Sequence, residues 1–469
     1  MNILKFGGTS LKDAQQIKRV VSIIRAQERP GVVVVSAFGG VTDCLLQAAQ
    51  KAAAGDASYS ELEKKLEERH LETVRRLMPG AQQSAVISQM LLMLNDLHDL
   101  LHGVFLLREL TARVADYVMS FGERLSAFVI SEILKQNNVP ALFVDARKLI
   151  KTNERFGRAQ ILYEPTFAAI RQFFAGMNAI PVVTGFIAST LKGETTTLGR
   201  SGSDFTASVF GAALGAKEIQ IWTDVDGVLT ADPQLVPQAF TIPGLTYEEA
   251  MELSHFGAQV VHPATMQPAL EAHIPIRIKN TFNPDHPGTL IGQESPAWPY
   301  PVKSLSSVKE ITLISVIGSG MLGETGIAGR IFSTLAREAI NIILITQASS
   351  EHSVCFAVAP SCARRARQAL TKEFRLELME KRVNRIQIEE GLAIIAVVGE
   401  NMRRTPGIAG QVFQALGERR INITAIAQGS SELNISLVVA REQLKEALQV
   451  VHQRFFGKAT EAKSCKNEE

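Results

Sequence analysis

Met-Asn-Ile-Leu-Lys-Phe-Gly-Gly-Thr-Ser, residues 1–10, opens the chain. Met1, Ile3 and Leu4 read as the apolar half of a first β-strand, and Gly7 and Gly8 stand at its end. A glycine pair there lets backbone N–H groups close on an anion without interference from a Cβ. A helical pattern follows from about Asp13, so its N-terminal dipole faces the same spot, and Lys5 adds a full positive charge. Strand, glycine turn, lysine and helix start together form a phosphate cradle; the plainer alternative is a tight strand-to-helix turn with a solvated lysine. No G-x-x-x-x-G-K-[ST] occurs in the chain, so this is not a Walker loop.

Two further loops share that character. Residues 195–208, Thr-Thr-Thr-Leu-Gly-Arg-Ser-Gly-Ser-Asp-Phe-Thr-Ala-Ser, combine hydroxyls, glycines, Arg200 and Asp204 ahead of a helical start. Trp222-Thr-Asp-Val-Asp-Gly-Val228 follows the strand-like Ile219–Ile221. Polar, glycine-bearing loops at the ends of apolar runs predict one composite site on the strand ends of an open α/β sheet.

At 469 residues the chain has room for two to four domains, and 46% hydrophobic with 20% charged residues is ordinary for a globular protein. A formal charge of +2 gives no footprint for nucleic acid or an anionic membrane. The apolar runs read as too short for a membrane span, and Met1 leads directly into a strand rather than a signal peptide. Cys44, Cys355, Cys362 and Cys465 form no C-x-x-C pair and read as reduced thiols, which predicts a cytoplasmic protein.

From residue 1 to about 293, short β-branched runs (Val32–Val35, Val182–Thr184, Ile219–Ile221) alternate with helical patterns, as in an α/β layered domain. Ser60 and Glu63 suggest a capping box, and the leucine- and methionine-rich stretch 86–107 reads as a packed helix. Prolines and glycines cluster over 281–303, predicting a domain boundary. Beyond it the sequence repeats. Gly326-Ile-Ala-Gly329, Ile340-Asn-Ile342 and Gln347-Ala-Ser-Ser-Glu351 return as Gly407-Ile-Ala-Gly410, Ile421-Asn-Ile423 and Gln428-Gly-Ser-Ser-Glu432, each 81 residues later. This is a duplicated module of order strand, loop, helix, strand, strand, helix. Gly318-Ser-Gly-Met-Leu-Gly323 matches a dinucleotide fingerprint, but its counterpart from Gly399 keeps only the first glycine, which argues against nucleotide binding there.

The set resembles the aspartokinase family, whose members phosphorylate the β-carboxylate of aspartate with ATP. The resemblance covers essentially the whole chain. It rests on KFGGTS at 5–10, Ser36-Ala37 with Val41-Thr42, Phe121-Gly-Glu-Arg124, Thr152-Asn-Glu-Arg-Phe-Gly157, Thr197-Leu-Gly-Arg-Ser-Gly-Ser-Asp204, Trp222-Thr-Asp-Val-Asp-Gly227, Phe256-Gly-Ala258 and His262-Pro263. It implies an amino-acid-kinase αβα sandwich over 1–293, a linker over 294–310, and two ACT (ferredoxin-like α+β) modules over 311–390 and 391–460 that are free to interleave. A tail of 461–469 follows. The charged tail from Lys458 suits a free C-terminus and a single-function enzyme, although the wording around Gln347 and Gln428 is most similar to the kinase half of threonine-sensitive bifunctional aspartokinase–homoserine dehydrogenases.

The residue types suit such a reaction. A carboxylate is already ionised at neutral pH, so the nucleophile needs no general base, and catalysis reduces to positioning and neutralising charge. By resemblance, Lys5 and the amides of Gly7 and Gly8 hold the transferring phosphate, with Ser10 beside them, and Asp204 orients Lys5 or the shell of a Mg²⁺ ion. Arg200 grips the α-carboxylate of L-aspartate and Glu123 its ammonium, while Ser36, Thr42 and Ser203 add hydrogen bonds. Thr223, Asp224, Asp226 and Gly227 line the ATP side, and Mg²⁺ bridges the β- and γ-phosphates. No site made of protein groups alone is expected to hold the metal. Plain alternatives exist: a helix-surface pair for Glu123 with Arg124, a loop salt bridge for Arg200, a turn for Asp224 and Asp226.

Gln234 and Gln259 stand where the family usually carries an arginine and a lysine. Each missing cation is expected to cost ~1–3 kcal/mol of nucleotide contact, with Arg277 and Lys279 near enough in sequence to compensate. The resemblance further implies feedback by an amino acid, threonine ahead of lysine, at Asn341, Gln347, Asn422 and Gln428, and a homodimer or homotetramer formed through the ACT modules. The plainer role for these four is to satisfy backbone groups at strand ends. Competing functional readings are another amino-acid kinase (glutamate, acetylglutamate or UMP) and an amino-acid sensor with a catalytically weak kinase domain.

Overall fold

The computed structural model describes residues 1–27, 30–257, 262–318, 326–347 and 353–464. They form two compact units: Met1–Val228 with Pro243–Tyr247 and Val260–Ser295, and Leu229–Ile242 with Glu248–Gln259 and Pro296–Glu469. Within the expected kinase range of 1–293, the described residues of 229–242 and 248–257 group by contact with the second unit.

The first unit is built on strands β1 (Asn2–Phe6), β2 (Pro30–Val35), β3 (Ala141–Val144), β4 (Lys151–Thr152), β5 (Ile180–Thr184), β6 (Ile187–Thr190), β7 (Thr195–Thr197), β8 (Glu218–Thr223), β9 (Gly244–Thr246), β10 (Ile276–Asn280) and β11 (Thr289–Gly292). Eight of them make one sheet of order β3-β5-β2-β1-β8-β10-β11-β9, and β4, β6 and β7 make a small second sheet. Pairing is parallel from β3 through β10, and β10 with β11 is antiparallel. Val32 to Val35 are fully buried, as expected of a central parallel strand covered on both faces.

Helices supply those covers. Leu4, Phe6, Val33 and Val35 bury with α1 (Ala14–Ala26), α2 (Val41–Ala54), α3 (Tyr59–Leu77), α4 (Gly80–Leu107) and α5 (Ala112–Gln136). Ile3 and Ile219 face α7 (Gly202–Leu214), which follows α6 (Tyr163–Phe174). Gly211 makes that approach possible, because a Cβ there would lie 2.7 Å from Ile219 Cδ1. The result is helix, sheet, helix.

Two local expectations fail. Ser60 caps nothing: α3 begins at Tyr59, Ser60 Oγ donates back to the Ala57 carbonyl, and Glu63 accepts from His98 Nδ1 at 2.9 Å instead. Within α4, Gln82–Leu107 is long and apolar enough to meet the length and composition of a span. Its Val86, Met90, Leu94, Leu97, Leu101 and Val104 form a buried stripe at helical spacing against the core, which accounts for that composition.

The second unit carries α8 (Tyr247–His255, from Glu248 onward) and the repeat, while α9 (Pro263–Glu271) returns to the first unit. The first repeat runs β12 (Ser304–Ile317), α10 (Ile327–Arg337), β13 (Leu344–Gln347), β14 (Ser353–Val358), α11 (Pro360–Glu373) and α12 (Arg375–Met379). The second runs β15 (Arg385–Val398), α13 (Ile408–Glu418), β16 (Ala425–Gln428), β17 (Asn434–Ala440) and α14 (Leu444–Ser464). The strand order is β13-β14-β12-β15-β17-β16.

The two modules interleave through their long strands. β14 pairs only with Thr312–Ile317 of β12, whereas Ser304–Val308 of β12 pairs with Ile394–Val398 of β15. The register shifts between Val308 and Leu313. One strand thus serves the first module with its C-terminal half and the second with its N-terminal half. The expected linker 294–310 is corrected accordingly: 304–310 is a strand. The repeat's apolar anchors at Ile311 and Leu392 lie mid-strand, so sequence alignment alone starts each module too late. Residues 461–464 continue α14 rather than forming a tail. Each module has its own core, one around Ile331, Leu335 and Phe356, the other around Val412, Leu416 and Leu437.

Candidate active site

A cavity of about 450 Å³ opens at the ends of β1, β2 and the start of α7, lined by Lys5, Gly8, the 36–43 segment, Glu123, Phe186 and the 199–204 turn. Lys5, Gly8, Ser36, Thr42, Glu123, Arg200, Ser203 and Asp204 all line it. These residues come from four separate chain segments; of the three polar loops expected to build one composite site, those at 5–10 and 195–208 contribute to this cavity.

Lys5 Nζ and Asp204 Oδ1 lie 2.7 Å apart, both largely buried. The ammonium folds over Gly7, where a Cβ would stand 3.4 Å from Nζ. Ser201 at φ 56° turns the chain into α7, so Ser203 and Asp204 occupy the helix's first turn, where backbone amides lack intrahelical partners. A cation, a glycine turn and a helix start therefore converge on one point, the combination that holds phosphate.

Glu123 faces them from α5 and is 3% exposed. Its Oε1 accepts from the Ala37 amide at 3.2 Å, while Oε2 is buried without a hydrogen-bond partner among the described residues. Burial pushes its carboxyl up to about 8, against the smaller opposing effect of the Ala37 amide. A buried, half-satisfied carboxylate aimed into a polar cavity is a receptor for a cation. Arg200, by contrast, is exposed and has no partner among the described residues, so the loop salt bridge weighed above is not formed. Glycines keep these walls close. A Cβ on Gly39 would meet the Gly8 carbonyl oxygen at 2.8 Å, and one on Gly185 would meet Ser203 Oγ at 2.5 Å. Gly185→Ala is therefore expected to displace Ser203 and the first turn of α7. Overpacking of this kind costs roughly 1–3 kcal/mol, and ligand titration should register it as weaker binding in this cavity.

Two expectations are corrected. The Gly7 amide donates to the Trp222 carbonyl at 3.3 Å, so of the glycine pair only Gly8 lines the cavity. Ser10 is fully buried, its hydroxyl bonded to Thr281 Oγ1 at 2.7 Å, which makes it a tie within the fold rather than a nucleotide contact. Thr223, Asp224, Asp226 and Gly227 do not line the cavity. They extend from β8, whose Trp222 is in register with Phe6 of β1, so the loop begins beside the glycine turn. Asp226 Oδ1 accepts from Asn280 and Asn283, and the Thr223 hydroxyl donates to the exposed Asp224.

The replaced cations are only partly described. Gln234 is exposed, with its backbone amide donating to Asp232, and Gln259 lies outside the described residues. Arg277 is engaged by Glu218 at 2.8 Å. Lys279 lies over the Trp222 ring at 4.9 Å, and burial together with Arg277 holds its ammonium below the usual lysine range. For Mg²⁺, no group of three His, Cys, Asp or Glu among the described residues forms a cage. The acidic groups lining the cavity are Asp43, Glu123 and Asp204, a donor set that fits a Mg²⁺ ion carried mainly by phosphate oxygens and water.

Of the effector candidates, Asn341, Gln347, Asn422 and Gln428 are all exposed, Gln347 and Gln428 ending the outer strands β13 and β16. Those strands meet where Thr346 Oγ1 donates to the Ile426 carbonyl at 2.8 Å. The fingerprint-like 319–323 lies outside the described residues. The sequence reading missed Phe38, Phe186 and Asp116. Asp116 sits seven residues before Glu123 on α5, a spacing that returns to the same helical face.

Residues 1–280 match the model of the amino acid kinase family, and 314–374 and 395–455 each match the ACT domain. The chain is 36% identical over 463 residues to bifunctional aspartokinase/homoserine dehydrogenase 1, chloroplastic, of Zea mays, covering 97% of this chain and 50% of the relative. It thus spans about half the length of the first such relatives. It is 36% identical over 468 residues to aspartokinase 2, chloroplastic, of Arabidopsis thaliana, covering 97% and 84%. Among solved structures, E. coli aspartokinase III with aspartate and ADP matches at TM-score 0.82 and 30% identity, over 97% of this chain and all of that one. The same enzyme with lysine and aspartate matches at TM-score 0.78 and 31% identity, over 97% and 99%.

Proposed function

Because the chain belongs to the aspartokinases of the amino acid kinase family, we propose that it transfers the γ-phosphoryl group of ATP to the β-carboxylate of L-aspartate, giving ADP and 4-phospho-L-aspartate. The observation that carries this reading is the pairing of opposite receptors in one cavity, buried Glu123 and Arg200, which has no partner among the described residues, beside the Lys5–Asp204 pair. Glu123 takes the α-ammonium and Arg200 the α-carboxylate as a fork. Ser36, Thr42 and Ser203 orient the substrate so that its β-carboxylate faces Lys5. An oxygen of that carboxylate attacks the γ-phosphorus in line, the P–O bond to the β-phosphate breaks, and ADP leaves with the electron pair. No proton moves in this step. Lys5, held by Asp204, and the Gly8 turn neutralise charge on the transferring phosphoryl group. Asp43 and Asp204 are the acidic lining residues that would help hold a Mg²⁺ ion, which when bound would supply further charge neutralisation. The Thr223–Gly227 loop and Lys279 take the nucleotide side.

Incubation with aspartate, Mg-ATP and hydroxylamine should yield aspartyl hydroxamate, and glutamate, acetylglutamate and UMP should not replace aspartate. Absence of hydroxamate would refute the reading. If Gln234 and Gln259 weaken nucleotide contact, Gln234→Arg with Gln259→Lys lowers the KM for ATP; an unchanged KM removes that idea.

For regulation the reading is an amino-acid effector at Asn341, Gln347, Asn422 and Gln428, with threonine ahead of lysine, in a homodimer or homotetramer. It is supported by the duplicated exposed glutamines at the ends of β13 and β16. Calorimetry is expected to show threonine binding that Gln347→Ala with Gln428→Ala weakens at least tenfold, the scale of lost hydrogen bonds to a charged ligand. Binding of neither threonine nor lysine would end it.

A further inference from the structure

β7 is three consecutive threonines, all buried, Thr196 and Thr197 almost wholly so. Buried hydroxyls need partners, and each has one. Thr195 Oγ1 accepts from Arg147 Nη1 at 3.0 Å, Thr196 Oγ1 bonds Thr152 Oγ1 at 2.8 Å, and Thr197 Oγ1 donates to Asp116 Oδ1 at 2.7 Å. Asp116 is itself completely buried, and its Oδ2 accepts from the backbone amides of Gly157 at 2.8 Å and Thr197 at 3.1 Å. Burial raises its carboxyl above the ordinary range, against these bonds.

Those contacts also explain the Thr152–Gly157 motif, which has no place in the cavity lining. Asn153 Oδ1 accepts from the amides of Arg155 and Gln160, Ala159 N donates to the Thr197 carbonyl at 3.0 Å, and Gly157 turns at φ 84°. Gly199 packs onto this loop, a Cβ there lying 3.6 Å from the Gly157 carbonyl oxygen. The loop and β7 form a clasp, and β7 ends three residues before Arg200.

We propose that Asp116 is a positioning residue that sets Arg200 at its working distance from Glu123, and that this spacing selects the α-ammonium and α-carboxylate of the substrate. The inference rests on the aspartate-kinase reading above. One helix makes the gauge. Asp116 and Glu123 lie two turns apart on the same face of α5, about 10 Å along its axis. Glu123 projects into the cavity, and Asp116 fastens the strand that carries Arg200. Asp116 touches no substrate, so its action runs through Thr197 and Gly157.

The test is the hydroxamate assay on Asp116→Ala, Asp116→Asn and Thr197→Val, with L-aspartate and with its α-carboxamide, which lacks the charge that Arg200 grips. Asp116→Ala should raise the KM for aspartate about tenfold or more, within the range that a misplaced binding group costs, and leave the KM for ATP within about twofold. Its preference for aspartate over the α-carboxamide should shrink by a similar factor. Asp116→Asn should restore most of both, because its oxygen accepts from the two amides and its NH₂ donates to Thr197 Oγ1. Thr197→Val removes one bond only and should shift both quantities in the same direction by less, which keeps the test available if Asp116→Ala does not fold. An unchanged aspartate KM and preference, or a proportional rise in both KM values with a lower Tm, overturns the positioning role. Absence of hydroxamate from the wild-type protein would instead refute the parent reading.

Discussion

On the proposed reading, aspartate should bind more tightly as the pH rises from 6 to 8, by roughly 50-fold, because Glu123 must give up a proton to receive the substrate ammonium. The factor follows from a carboxyl at about 8 in the free protein and a bound state in which it stays ionised. At pH 7 about nine-tenths of the free protein carries the proton, so calorimetry in buffers of different ionisation enthalpy should record release of about 0.9 proton per aspartate bound. Glu123→Gln should flatten the profile and weaken binding by about two orders of magnitude, as loss of a buried charge partner does. A wild-type profile that is flat over this range would show that Glu123 does not meet the ammonium. The same shift has a stability consequence of definite sign. The folded carboxyl sits above its unfolded value, so the stability it contributes is full below about 4.5 and lost as pH rises through about 8. The free protein's Tm should fall over that window, and saturating aspartate should remove much of the fall.

Lys5→Met should lower kcat by about 10³-fold or more while the Kd for aspartate stays within a few-fold. Removing one preorganised group from a charge-stabilising site commonly costs 10²–10³ in kcat, and this one carries a full charge toward the transferring phosphoryl group. Aspartate's own receptors, Glu123 and Arg200, are untouched by the change. Lys5→Arg should not rescue, because a planar guanidinium fork does not reproduce the compact ammonium that lies over Gly7. Asp204→Asn should fall between wild type and Lys5→Met, since it leaves the ammonium present but loosely held. Single-turnover rates separate these cases from effects on product release. Retention of a near-normal kcat in Lys5→Met would remove Lys5 from the catalytic role.

Much of the site was legible because its chemistry is carried by residue types that sequence displays directly. A glycine pair after an apolar strand, a lysine beside it and a Gly-Arg-Ser-Gly-Ser-Asp turn need no tertiary information to suggest an anion site. Gly7 and Ser10 show the limit. Whether an amide or a hydroxyl is free depends on what lies across from it, here the Trp222 carbonyl and Thr281 Oγ1, more than 200 residues away in sequence. Asp116 was hidden for the opposite reason. A lone acid on a helix reads as a solvated face until burial shows three bonds converging on it.

From the sequence alone came the α/β order, the duplicated module and the glycine turn with its lysine, because local periodicity and backbone permissiveness are properties of short segments; the roles given to residues on the two sides of the transfer came from the family resemblance. Only the tertiary structure decided that β12 and β15 each serve both modules, that 229–242 and 248–257 group by contact with the second unit, and that Glu123 lies deep enough to hold its proton near neutral pH. Register, burial and desolvation are set by what the rest of the chain places around a group, and no short window of sequence contains them.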